Sequence, residues 1–177
     1  FKGIDLYAVG LGPGNFTGLR IALSAVRALA LPAQTDVIGI SSAEAVAARI
    51  QDEQSPAGRI VVVGDARRHR LWIGSFDTSQ SPLQAKGSFE LIPIAEFADH
   101  LQQGDTIASP DWERVGAELQ GVTPTGTLLL EEAQLPAAVT VARLARRRKA
   151  AGIASDPLEP IYMHPPVFIE PRFTGSA

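Results

Sequence analysis

Apolar positions along the 177-residue chain follow two rhythms. Short continuous runs, Ile4 to Val9, Asp36 to Ile40 and Ile60 to Gly64, are bounded by glycine or turn residues and suit strands buried on both faces. Between the first two, Leu19, Ala22, Leu23, Val26, Leu29 and Ala30 recur at helical spacing, with Arg20, Ser24 and Arg27 elsewhere, until Pro32 stops the pattern. Ile21 and Ala25 widen this stripe, which leaves two accounts open. The helix is buried between a sheet and another helix of the same chain, or one side meets another subunit, to which Ala22 and Ala25 allow close approach. Ser41-Ser42-Ala43-Glu44 has capping-box spacing and predicts a helix to about Ile50. Strand, helix, strand, helix implies a parallel sheet with right-handed crossovers.

The polar stretch Gln51 to Gly58, with Pro56 and Gly58 as breakers, is the best boundary, dividing the chain into 1–56 and 57–177. Beyond it, Ile60 to Gly64, a polar turn from Asp65 to Arg70, and Leu71 to Phe76 read as a hairpin. Asp77 to Pro82 reads as a loop and Ser88 to Leu91 as an edge strand. Ile92-Pro93 leads into a short helix carrying Ile94, Phe97, Ala98 and Leu101. A strand at Thr106 to Ala108, a helix at Trp112 to Leu119 and a strand at Leu128 to Leu130 follow. Pro136 suits the first position of a helix to about Ala151, with Ala137, Val141, Leu144 and Ala145 on one side and Gly152 as its stop.

The densest signal is the turn Gly10-Leu11-Gly12-Pro13-Gly14-Asn15-Phe16-Thr17-Gly18 before Leu19-Arg20-Ile21. Its glycines let the backbone leave a strand sharply and approach a neighbour closely. Asn15 or Thr17 can cap the helix that begins near Gly18. An open helix N-terminus also suits phosphate, but both strict templates fail. A dinucleotide fingerprint meets Asn15 or Thr17 where its third glycine belongs, and no lysine lies between Lys2 and Lys86 to complete a P-loop. A tight structural turn and anion binding by Gly12 and Gly14 both stay open.

A hydrophobic content of 45% is enough for a real core. A net charge of -3 and an isoelectric point near 5.6 argue against a surface that grips nucleic acid by itself. There is no cysteine, which excludes disulfides and thiol catalysis. Neither an apolar run of the roughly 18 residues of a membrane span nor a signal peptide is expected, and the expected location is cytoplasmic.

Gly-Pro-Gly-Asn-Phe-Thr-Gly-Leu-Arg-Ile, from Gly12 to Ile21, resembles the Gly-Pro-Gly-Ser-Phe-Thr-Gly-Leu-Arg-Ile-Gly signature of the bacterial TsaB (YeaZ) family. Asn15 replaces serine, and Ala22 stands where glycine is frequent. Asp65-Ala66-Arg67 resembles the turn that opens the family's second lobe, with an aromatic in the return strand where Trp72 stands. The tail from Glu159 to Pro166 resembles its Pro-x-Tyr-Leu-Arg-x-Pro ending, with Met163 and His164 replacing leucine and arginine, and implies an extended strap. At Ala108-Ser109-Pro110 the likeness to a glycine-rich strand end is weak.

The resemblance implies an α/β actin-like ATPase fold of two lobes. The first would here lack the family's N-terminal strands and first helix, including its phosphate-holding hairpin. It also implies a non-catalytic partner of a TsaD-like enzyme, working with a TsaE-like ATPase, in making tRNA N6-threonylcarbamoyladenosine. ATP and a metal ion are then expected on the partners and no cofactor in this chain, with tRNA reached only through the complex. Homodimers of the isolated chain are a further expectation. The family pairs with TsaD through the helix after the glycine motif and the one before it, which implies Leu19, Arg20, Ala22, Ala25, Val26 and Leu29 as partner-binding residues. Gly12, Pro13, Gly14, Asn15, Thr17, Gly18, Asp65 and Arg67 would be structural.

In superfamily ATPases an acidic hairpin faces the nucleotide, so Asp65 is either a ligand there or a turn aspartate paired with Arg67 or Arg68. The run Arg146 to Lys149 is either a solvated helix end, favoured by the dipole by about 0.3 to 1 kcal/mol per charge, or a contact with tRNA or partner. Among His69, His100 and His164 no i, i+4 pair offers a metal helix, and there is no Gly-x-Ser-x-Gly elbow. Catalytic and metal residues are therefore expected to be absent. An ATP-binding or hydrolysing enzyme of the same fold, and a glycoprotease-like peptidase, stay as alternatives.

Overall fold

The computed structural model describes residues 3–79, 83, 85, 87–153 and 157–164. Strand β1 (Leu6–Gly10) passes through the glycine turn into helix α1 (Phe16–Ala30), and a 3-10 turn (Leu31–Ala33) leads to β2 (Asp36–Ile40) and α2 (Ser42–Gln54). The hairpin β3 (Ile60–Asp65) and β4 (Arg70–Phe76) is followed by β5 (Glu90–Pro93), a 3-10 helix (Ile94–His100) and β6 (Thr106–Ser109). Then come α3 (Trp112–Val122), β7 (Leu128–Ala133) and α4 (Ala138–Ala150).

Among the described residues the strands form two sheets. β1 and β2 pair in parallel, from Leu6 opposite Asp36 to Gly10 opposite Ile40. The second sheet has the order β5-β4-β3-β6-β7, antiparallel across β3 and β4 and parallel from β3 to β6 to β7. Along β3 the side chains alternate between two buried clusters, because the strand period is two. Ile60 and Val62 join the core shared by β2, α2 and α4, including Ile40, Ile50 and Leu144. Val61 and Val63 join Leu71, Phe97, Ile107 and Leu119 on the other face. Burying each such side chain stabilises by about 1.5 to 3 kcal/mol. The expected boundary at 56/57 falls between the sheets, while α4, from the second segment, packs on β1, β2 and α2.

Several expectations shift for local physical reasons. Ser41 Oγ accepts the Glu44 amide at 3.4 Å as a cap, but the Glu44 carboxylate does not close the box. It meets Arg148 at 2.7 Å, with both side chains buried. Within the basic run only Arg148 is buried, while Arg146, Arg147 and Lys149 stay exposed at the helix end. Arg147 lies 3.7 Å from Asp52, and Lys149 bonds Asp36 at 2.8 Å. Pro136 precedes rather than opens α4, whose first residue is Ala138. The edge strand starts at Glu90 instead of Ser88, and the helix after it is 3-10 throughout. Pro165 and Pro166 of the tail, and Gln80, Ser81 and Pro82 of the loop after β4, lie outside the described residues.

The expectation that no segment reaches membrane-span length is corrected by Phe16–Ala33, 18 residues long and apolar enough by length and composition to cross a membrane. It carries Arg20, Arg27 and Pro32, and it is the α1 segment whose outer side is uncovered.

Candidate functional site

α1 begins where Asn15, in extended conformation, accepts the Gly18 amide at 2.9 Å. Such a cap contributes about 1 kcal/mol. One side of the helix faces β1 and β2: Leu23 is buried, and Ala22 and Val26 are half-buried against Val9 and Leu11. The opposite side carries Ile21, 64% exposed, with Ala25, Ala28 and Leu29 also exposed and Leu31, 76% exposed, at its end. The account in which α1 is enclosed by the chain's own sheet and a second helix therefore does not hold among the described residues. Among the described residues nothing covers Ile21, Ala25, Ala28 and Leu29.

At its N-terminus α1 borders a cleft of 1160 Å³ between the two sheets. Gly14 and Asn15 line one wall, and Asp65, Arg67, Asp111 and Arg114 line the other. The two members of the glycine turn behave differently. At Gly12, with φ +95°, a Cβ would sit 2.8 Å from Leu19 Cδ1, so glycine is required by packing and by backbone. Its carbonyl accepts the Ser42 amide at 2.7 Å. Gly14 has open space where its side chain would be.

Asp65 is engaged within its own turn. One carboxylate oxygen accepts the Arg67 amide at 2.7 Å, and the other lies 3.1 Å from the Arg67 guanidinium and 3.6 Å from that of Arg114. Arg67, Arg68 and His69 all take positive φ, so the turn holds three non-glycine residues in a conformation they rarely adopt. The Asp65 amide in turn donates to Asp111 at 3.0 Å.

The tail crosses the mouth of this cleft. Ile161 N–H donates to Leu11 O at 2.7 Å, Tyr162 stacks on Phe16 at 5.2 Å, and His164 Nε2 lies 2.8 Å from Ala66 O. Arg20 lies over the Phe16 ring as well, 5.3 Å from its centroid. His69 faces Glu118 at 3.9 Å and His100 faces Glu90 at 3.8 Å; among the described residues no histidine is hydrogen-bonded to a serine. No group of three or more potential metal ligands occurs among them either.

Of the residues expected at a partner surface, Arg20, Ala25 and Leu29 are exposed, whereas Leu19, Ala22 and Val26 are half-buried toward the sheet or loop. Gly12, Gly14 and Asp65 do converge on one region, although Gly12 is enclosed. Asp111 and Arg114 join the site without any sequence motif that marks them. The polar cluster Asp111-Trp112-Glu113-Arg114 at a helix start was the available signal, but nothing local shows that it meets Asp65 46 residues away.

Residues 1–109 match the protein family described as TsaD, tRNA N6-adenosine threonylcarbamoyltransferase. The chain is 28% identical over 168 residues to the tRNA threonylcarbamoyladenosine biosynthesis protein TsaB of Escherichia coli, covering 90% of this chain and 71% of that protein. It is 36% identical over 69 residues to an uncharacterized protein of Mycobacterium leprae, covering 39% of this chain and 18% of the relative. Two solved Pseudomonas aeruginosa structures are similar. One, described as an uncharacterized protein with similarity to peptidase YEAZ, has a TM-score of 0.75 at 27% identity over 91% of this chain and 74% of that one. The other, YeaZ, has a TM-score of 0.71 at 28% identity over 90% of this chain and 74% of that one. These likenesses give the two-sheet α/β arrangement its class, the actin-like ATPase fold.

Proposed function

The chain belongs to the tRNA N6-adenosine threonylcarbamoyltransferase (TsaD) family and is a TsaB (YeaZ) member, and from that premise we propose that it is a non-catalytic subunit in tRNA N6-threonylcarbamoyladenosine formation. It docks a TsaD-like catalytic chain through the outer side of α1, in the cytoplasm, and a TsaE-like ATPase joins the assembly. ATP and the metal ion are held by those partners, and tRNA is reached through them. The observation that carries this reading is the uncovered apolar face of Ile21, Ala25, Ala28 and Leu29 on a helix whose inner side already has its sheet. Without the partner, the same face pairs with a second copy. The test is reconstitution: purified chain with tRNA, threonine, bicarbonate and ATP yields no modified adenosine until TsaD-like and accessory partners are added. Product from this chain alone would overturn the subunit reading.

The cleft favours a second reading, nucleotide binding or hydrolysis by this chain, because Gly14 and Asp65 line it together. The residues present fit that group poorly. The Asp65 carboxylate already accepts the Arg67 amide and pairs with the guanidinium groups of Arg67 at 3.1 Å and Arg114 at 3.6 Å. Calorimetry with magnesium and ATP is expected to give no binding in the low-micromolar range. Tight binding that is lost in Asp65→Ala would shift the assignment to an ATPase.

A further inference from the structure

α1 rests on a thin core. Only Leu23 and Ala30 of its 15 residues are buried, and the cluster beneath it has Val9, Leu11 and Leu23 as its buried members. Isolated helices of about this length are marginal in water and depend on packing of one face. Two of the residues that complete the cluster come from the far end of the sequence, Leu158 and Ile161. The same segment bonds the helix and its entry loop directly. The Arg27 guanidinium donates to Leu158 O, Ile161 N–H donates to Leu11 O, and the Tyr162 ring covers Phe16 in the first turn. Its far end is anchored on the second sheet, where Met163 packs on the main core and His164 reaches Ala66 O.

We propose that residues 158–164 form a clasp that decides whether α1 is docked on its sheet. Fastened at Ala66 and closed over Leu11, Phe16 and Arg27, it adds Leu158 and Ile161 to the apolar floor of α1 and the Tyr162 ring to its first turn. When it opens, α1 loses part of its apolar floor and the stack on its first turn, while α2, β3 and β4 keep a core built without Ile161 or Tyr162. The clasp itself does not depend on what binds α1. Its consequence for partner docking rests on the reading given above.

Hydrogen-exchange mass spectrometry on the full chain tests this. In the Ile161→Ala, Tyr162→Ala double variant, amides of α1 should exchange about tenfold faster or more, while those of α2 and β3 change by less than about twofold. Tyr162→Phe, which keeps the ring, should retain wild-type exchange. Unchanged α1 exchange in the double variant, or equal acceleration in α1 and β3, would overturn the clasp. A TsaD-like partner titrated against the same double variant separates the two ideas. Faster α1 exchange with unchanged partner affinity supports the clasp and removes α1 as the docking surface.

Discussion

α1 and α2 begin alike and end up in opposite environments. Each follows a parallel strand, each is capped by a small polar side chain, Asn15 or Ser41, and each is rich in alanine. α2 buries seven of its 13 residues, including Glu44, between the two sheets. α1 is the more apolar of the two by composition yet buries two of 15. Burial therefore does not follow hydrophobicity here, and the mismatch is informative. In α1 the apolar residues exceed what the β1–β2 sheet covers among the described residues, and the proposed docking role rests on that excess. A helix that buries a charged side chain needs an internal partner for it, and Glu44 of α2 finds one in Arg148.

The largest effect expected from this comparison is in α2. Removing one member of the Glu44–Arg148 pair, by Glu44→Ala or Arg148→Ala, leaves a buried charge and should destabilise the fold by about 3 to 5 kcal/mol in urea unfolding. The apolar double replacement Glu44→Leu, Arg148→Met should cost less than either single change. If the single variants unfold like wild type, α2 is not the buried helix of the pair. On the inner side of α1, Leu23→Ala should cost about 2 to 5 kcal/mol, near the lower end because the core around it is small. Equality with an exposed control such as Leu29→Ala would deny α1 an inner face. Asn15→Ala should cost about 1 kcal/mol by exposing the Gly18 amide, with loss concentrated in the first turn by hydrogen exchange.

Much of this organisation is legible in the sequence. The runs at Val37 to Ile40 and Ile60 to Val63 read as strands because they are short, rich in valine and isoleucine and bounded by turn residues. Periodicity showed that α1 has apolar residues on two sides, but it cannot say whether a second element covers the outer one. That depends on tertiary placement. The same limit applies to Glu44, whose capping spacing was real while its carboxylate was claimed by Arg148, 104 residues later. Asp65 and Arg67 are neighbours and their pairing could be read locally. The Asp111 and Arg114 contacts and the seat of Ile161 on Leu11 could not, since each joins segments that only the folded sheets bring together.

The central claim is that the outer face of α1 is a docking surface. Its most direct test is Ile21→Glu, placed at a side chain that is 64% exposed. Affinity for a TsaD-like partner, or self-association in its absence, should fall by about 2 kcal/mol or more, as for a central interface residue. The urea midpoint should stay within about 0.5 kcal/mol of wild type, as for an exposed substitution. Unchanged association by sedimentation and calorimetry, with the protein folded, would contradict the account and move the interface away from α1.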